Sequence, residues 1–166
     1  MKKIRTVLDQ LMKVFNAVVL GVLTLLVTWQ VITRYFLSSP STWSEELASY
    51  LFAWATMFGA AYVFGKREHM SIPILVEQFS EKTQKYVAVL RESLILLFAV
   101  VILIYGGLQI TSLTMGQDSS SLPLAMGYFY AVIPISGVFV TLYSILNIYD
   151  IVTDNIPTDE NEGQEN

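Results

Sequence analysis

The chain has 166 residues, 54% of them hydrophobic and 14% charged, with a net charge of −4, one histidine and no cysteine. A soluble domain carries about 25% charged residues, so this composition, with a mean hydropathy of +0.53, points to lipid as the solvent. The absence of cysteine excludes a disulfide framework, a thiolate metal site, an iron–sulfur cluster and a cysteine nucleophile. The single His69 excludes a bis-histidine haem within one chain, and ten Lys/Arg gathered beside apolar segments leave no basic surface for nucleic acid.

Crossing about 30 Å of hydrocarbon takes about 20 apolar residues in a helix. Four runs qualify, at about residues 14–36, 44–64, 87–110 and 124–148. The expected fold class is therefore all-α, an integral membrane four-helix protein. The four-span domain covers 1–150, and residues 151–166 form an acidic tail with almost nothing to bury, expected to be disordered.

Lys/Arg flanking a span are retained in the cytoplasm. Lys2, Lys3, Arg5 and Lys13 precede the first span, and Lys66, Arg67, Lys82, Lys85 and Arg91 lie between the second and third or at the start of the third. Arg34 alone is on the opposite side, so the chain reads as multi-pass with both termini cytoplasmic. The first run is longer than the apolar core of a signal peptide and no small-x-small cleavage site follows it, so it is expected to stay as an anchor.

Between the spans, Ile4, Val7, Leu8 and Leu11 recur at helical spacing. Residues 3–13 thus read either as an amphipathic helix at the inner surface or as an extension of the first span. Residues 71–79 predict a short interfacial helix, with Pro73 in its first turn. The next helix has no Gly or Pro before Gly106 and can run from Glu81 to about Met115, longer than the bilayer needs, so it projects or tilts. Residues 116–121 form an outer loop, and Pro123 suits the first turn of the last span.

Chemistry inside a bilayer announces itself as ionisable residues near mid-membrane, each costing about 2.5 to 3.5 kcal/mol on the insertion scale. Every span here has an apolar middle. A proton-driven exporter lacks its embedded carboxylate, and an intramembrane serine protease lacks its pair, because His69 follows Lys66-Arg67-Glu68. No catalytic, cofactor-binding or metal-ligating residue is assigned, and no cofactor is expected. A haem-free membrane-anchor subunit of a respiratory enzyme remains the alternative reading.

Packing signals are richer. Asn16, Gln30 and Arg34 form a narrow polar stripe on the first span. Arg34 either snorkels to the outer interface or pairs with Glu45 or Glu46 across the turn at 38–42. The second span has a small, polar face (Glu45, Ser49, Ala53, Thr56, Gly59, Ala60) opposite a bulky ridge (Leu47, Leu51, Trp54, Phe58, Tyr62), and small-xxx-small pairs recur at Ala17/Gly21, Ala55/Gly59 and Gly127/Ala131. Trp29, Tyr35, Trp43 and Tyr50 read as interface anchors.

Trp43-Ser44-Glu45-Glu46 opens a span that continues through Trp54 and Gly59-Ala60-Ala61 and closes on Lys66-Arg67-Glu68-His69. With Ser121-Leu122-Pro123 and the later Ala131-Val132-Ile133-Pro134-Ile135-Ser136-Gly137, this resembles the small membrane subunit of tripartite ATP-independent periplasmic (TRAP) transporters over residues 1–150. The resemblance implies a bacterial inner-membrane subunit beside a large multi-span permease that carries the substrate and sodium sites. A periplasmic substrate-binding protein would deliver organic acids such as sialic acid or C4-dicarboxylates, and the small subunit would enlarge the scaffold of an elevator mechanism. It marks Trp43, Glu45, Glu46, Gly59, His69, Pro134 and Gly137 as motif positions; with Arg34 they are the candidate structural or partner-interface residues.

Overall fold

The computed structural model describes residues 2–66 and 81–153, which form helices joined by non-helical connections at 36–41 and 115–125 and contain no strand. The elements are α1 (Lys2–Tyr35), α2 (Thr42–Lys66), α3 (Glu81–Phe98), a π-helical segment (Ala99–Gly106), α4 (Gly107–Thr114), α5 (Met126–Tyr130) and α6 (Val132–Val152). They supply four helical stretches long and apolar enough to cross a membrane: Lys3–Tyr35, Thr42–Lys66, Thr83–Thr114 and Met126–Val152. His69, the short helix expected at 71–79 and nearly all of the acidic tail lie outside the described residues.

No proline and only Gly21 interrupt residues 2–35, and α1 is one unbroken helix of 34 residues, about 51 Å. Residues 3–13 are its first three turns rather than a separate helix. Their apolar positions Ile4, Val7 and Leu11 face outward, whereas Met12 is buried and Leu8 packs beneath it. After Tyr35 the chain reverses through residues 36–41. Ser38 there adopts the left-handed backbone conformation (φ 49°) that tight turns use.

The third stretch is continuous but not uniform. Over Ala99–Gly106 the hydrogen bonding widens to the i→i+5 pattern, and the Gly107 N–H still reaches back to Ile102 O. Such segments are rare in proteins. Here α6 presses in from one side: a Cβ on Gly137 would stand 2.7 Å from Leu103 Cβ, and one on Gly107 would stand 2.8 Å from Pro134 Cδ.

The fourth stretch starts later than the expected residue 124, and Pro123 precedes it instead of opening it. Met126 N–H donates to Gln117 O (2.8 Å) and Ser119 N–H to Leu124 O (3.0 Å), which closes the 115–125 loop before the helix begins. The helix then breaks at Ala131. Pro134 has no N–H to give to the Tyr130 carbonyl four residues back, so the helical ladder is interrupted there.

The four stretches lie side by side in the order first, second, fourth, third: α1 packs on α2, α2 on α6, and α6 on α3 and the π-helical segment. The fourth is accordingly the most buried. One apolar cluster joins Met12, Phe58, Val132 and Tyr143, with the Phe15 and Phe58 rings 4.4 Å apart. A second joins Ala61, Ala99 and Val140. The bulky ridge of α2 is the side turned inward, where Phe58 is 5% exposed, while Ser49, Ala53, Thr56 and Ala60 of its small face point away from the rest of the chain.

Candidate functional site

Polar side chains gather at the two ends of the helices. At the end formed by the 36–41 turn and the 115–125 loop, the stripe on α1 faces α2. Gln30 Nε2 donates to Ser44 O at 2.7 Å, and Arg34 Nη2 pairs with Glu45 Oε1. Lower on the same stripe, Asn16 Oδ1 is the neighbour a Cβ on Gly59 would meet, at 3.9 Å, an ordinary contact distance.

Glu46, adjacent to Glu45, has different partners. Its Oε1 accepts from Ser119 Oγ (2.6 Å), Ser120 N–H (3.2 Å) and Tyr50 Oη (3.0 Å), and its Oε2 accepts from Ser121 N–H (2.7 Å). The two carboxylates are one residue apart, about 100° around the helix, so one ties α2 to α1 and the other ties α2 to the 115–125 loop. Tyr50 is therefore a packing residue rather than an interface anchor: its ring stacks on Phe129 at 3.8 Å, and Trp54 Nε1 donates to Phe129 O at 3.0 Å. Trp29, Tyr35 and Trp43 remain outward-facing.

At the opposite end is a second cluster, which sequence reasoning did not single out. Arg5 Nη1 donates to Asp150 Oδ2 (2.9 Å), and Nη2 donates to Gly65 O (2.9 Å) and Asn147 Oδ1 (3.3 Å). Tyr143 Oη donates to Asp9 Oδ1 at 2.7 Å. Asn147 Nδ2 lies 3.5 Å from Glu92 Oε2, and Glu92, 2% exposed, is also within 3.7 Å of Arg91. One guanidinium thus bridges the start of α1, the end of α2 and the last turns of α6, which puts both described chain ends at the same end of the molecule. The signal was available as spacing: Arg5, Asp9, Met12 and Asn16 share one face of α1, and Tyr143, Asn147 and Asp150 share one face of α6.

The remaining candidates divide by contact. Pro134 and Gly137 sit in the tight seam between α6 and the third stretch, and Trp43 is 43% exposed at the start of α2. Gly21 has nothing within 4 Å of an added Cβ and Ala17 is exposed, whereas a Cβ added at Gly127 would stand 2.7 Å from Met115 Cγ. Among the described residues no group of three acidic or histidine side chains is placed to hold a metal. An open groove runs between α1 and α2 near the loop end, lined by Val27, Gln30, Arg34, Glu45, Ser49 and Phe52 among others.

These contacts hold the described helices to one another, and the comparisons with known proteins agree with a subunit role. The model of the DctQ component of tripartite ATP-independent periplasmic transporters matches residues 23–154. The sialic acid TRAP transporter small permease protein SiaQ of Vibrio cholerae is 25% identical over 158 residues, covering 92% of this chain and 87% of that protein. The C4-dicarboxylate TRAP transporter small permease protein DctQ of the same organism is 26% identical over 96 residues, 58% of this chain and 41% of that one. The sialic acid TRAP transporter permease protein SiaT of Haemophilus influenzae is 39% identical over 57 residues, 34% of this chain and 9% of that much longer protein. The chain belongs to the DctQ family, the small permease subunits of TRAP transporters.

Proposed function

We propose that the chain is the non-catalytic small permease subunit of a sodium-driven, binding-protein-dependent importer of an organic acid such as sialic acid or a C4-dicarboxylate. It stands in the bacterial inner membrane beside a large elevator-type permease and enlarges that permease's fixed scaffold. A periplasmic protein delivers the substrate, and this chain touches neither substrate nor sodium.

The observation that carries this reading is the alignment with SiaQ over nearly the whole of both chains. The geometry supports it, because the charged side chains of the described stretches gather at their two ends in contacts that hold helices together. The substrate classes come from the printed names of SiaQ and DctQ. Both termini are assigned to the cytoplasm on the charge asymmetry: nine of ten Lys/Arg flank that side. Arg34, Trp43, Glu45, Glu46, Gly59, His69, Pro134 and Gly137 are assigned structural or partner-interface roles.

The direct test is co-expression of the tagged chain with its untagged cognate large TRAP permease. The large subunit should elute with the tag after washing in mild detergent. Elution of the chain alone, with the large subunit folded and present in the membrane, overturns the reading.

A further inference from the structure

On α1, the exposed residues Ala17, Gly21, Thr24 and Thr28 recur at i, i+4, i+7 and i+11, a single stripe of small side chains. On α2, the exposed residues Ser49, Ala53, Thr56 and Ala60 do the same. Ser49 lines the α1–α2 groove, and the stripes run beside its other lining residues, Thr24 and Thr28 next to Leu23 and Val27 on α1 and Ala53 next to Phe52 on α2. The threonines bond back to their own helix, Thr24 Oγ1 to Leu20 O, Thr28 Oγ1 to Thr24 O and Thr56 Oγ1 to Phe52 O, each at 2.8 Å. Their outward surface is therefore methyl and backbone, which lets another helix approach closely.

The outward face of the third stretch is built differently. Leu90, Leu94, Leu97, Val101, Tyr105 and Leu108 are all exposed there, a bulky surface that suits lipid chains. Lipid gives no reason to keep side chains small, whereas helix packing in a bilayer does. The groove between the small stripes also has polar walls, Gln30, Arg34, Glu45 and Ser49. Arg34 and Glu45 satisfy each other yet keep 56% and 44% of their side-chain surface uncovered by the chain.

We propose that this groove and its two small-residue stripes receive a transmembrane helix of the large permease subunit, with Arg34, Glu45 and Ser49 offering hydrogen bonds at the loop end. The inference rests on the small-subunit reading above and adds to it the contact face. The occupant is chosen on the SiaT comparison: there a 57-residue segment similar to this chain makes up 9% of a single permease polypeptide, so a stretch like part of this chain occurs within one molecule with a permease. Span three, on the far side of the molecule, is left to lipid.

The test uses the full chain co-expressed with its cognate large permease, with a photoreactive benzophenone amino acid placed singly at Thr24, Thr56, Leu97 or Val101. Irradiation should give an adduct of combined mass with the large permease from Thr24 and Thr56 and none from Leu97 or Val101. Adducts from Leu97 or Val101 alone overturn the inference and leave the small-subunit reading standing. A doubled-mass adduct of this chain from Thr56 overturns it in favour of a second copy, and lipid adducts alone at every position, with co-purification intact, overturn it in favour of lipid. Failure of the unmodified pair to co-purify overturns both. As a second line, Gly21→Leu with Ala53→Leu should lose the co-purified large permease while keeping the yield and melting temperature of the subunit alone, since nothing lies within 4 Å of a Cβ at Gly21 and Ala53 is exposed. Retention of the large permease by that variant counts against the inference.

Discussion

The ring of Tyr143 lies directly over Gly65: a Cβ added there would stand 2.5 Å from the ring Cδ1 and 2.6 Å from Cγ, while the Tyr143 hydroxyl donates to Asp9 at 2.7 Å. A single side chain of α6 thereby touches the end of α2 and the first turns of α1. Tyr143 is 1% exposed.

Gly65→Ala should accordingly displace the ring and lengthen its bond to Asp9. Overpacking of this kind costs about 1–3 kcal/mol. The expected outcome is a lower melting temperature for the purified subunit in detergent, with Gly21→Ala as a control that does not lower it, because nothing lies within 4 Å of a Cβ at Gly21 and alanine favours a helix interior over glycine.

Arg5 holds the terminal end together through three acceptors on two other helices. Its side chain and that of Asp150 are 21% and 14% exposed, so Arg5→Ala leaves a mostly covered carboxylate and a carbonyl without their donor. Hydrogen bonds to charged groups are worth about 1.5–3 kcal/mol, and the loss in unfolding free energy should fall in that range. Asp150→Ala combined with Arg5→Ala should be less than additive, because the two share one interaction. Additive losses would place them in separate contacts.

At the loop end the two neighbouring carboxylates should behave differently. Exposed ion pairs contribute about 0–1 kcal/mol, so Arg34→Ala and Glu45→Ala should barely change the melting temperature of the isolated subunit. Both should weaken its hold on the large permease, with sub-additive effects. Glu46→Ala should instead free the 115–125 loop by removing the acceptor of Ser119, Ser120 and Ser121, read as several-fold faster proteolysis within that loop. Equal loop proteolysis in the Glu45 and Glu46 variants would contradict this division.

Much of the architecture was legible because lipid enforces it. Four apolar runs of sufficient length lead to four helices long enough to span, and the short turn at 38–42 left Arg34 either snorkelling or pairing with Glu45 or Glu46, of which the structure has the pair with Glu45. What escaped depended on which face of a helix turns inward. The spacing of Ile4, Val7, Leu8 and Leu11 left a surface helix and an extension of the first span both open; the segment is the extension, with three of those residues facing outward and the polar Arg5 and Asp9 facing in, where their partners lie on α2 and α6. The two faces of α2 were plain in the sequence, but nothing local showed that the bulky one would be buried. The π-helical segment has no local signature in the sequence, and its Leu103 and Ile104 pack closely against Gly137, more than thirty positions away.

The orientation assigned to the termini can be read from single cysteines in this cysteine-free chain. Ser120→Cys, exposed in the loop, should react in intact cells with a membrane-impermeant maleimide, and Thr83→Cys, exposed at the start of the third stretch, should react only after permeabilisation. Ser120 is preferable to Ser119, whose hydroxyl is engaged by Glu46. The opposite pattern would invert the topology.

The central claim, that this chain supports transport without carrying it out, is tested most directly by uptake of a radiolabelled organic acid into proteoliposomes under an inward sodium gradient. Vesicles holding the chain together with the large permease, supplied with the binding protein, should accumulate substrate. Vesicles holding the chain alone should not, and those with the large permease alone should fall well below the pair. Uptake by the chain alone, or undiminished uptake by the large permease without it, would contradict the account.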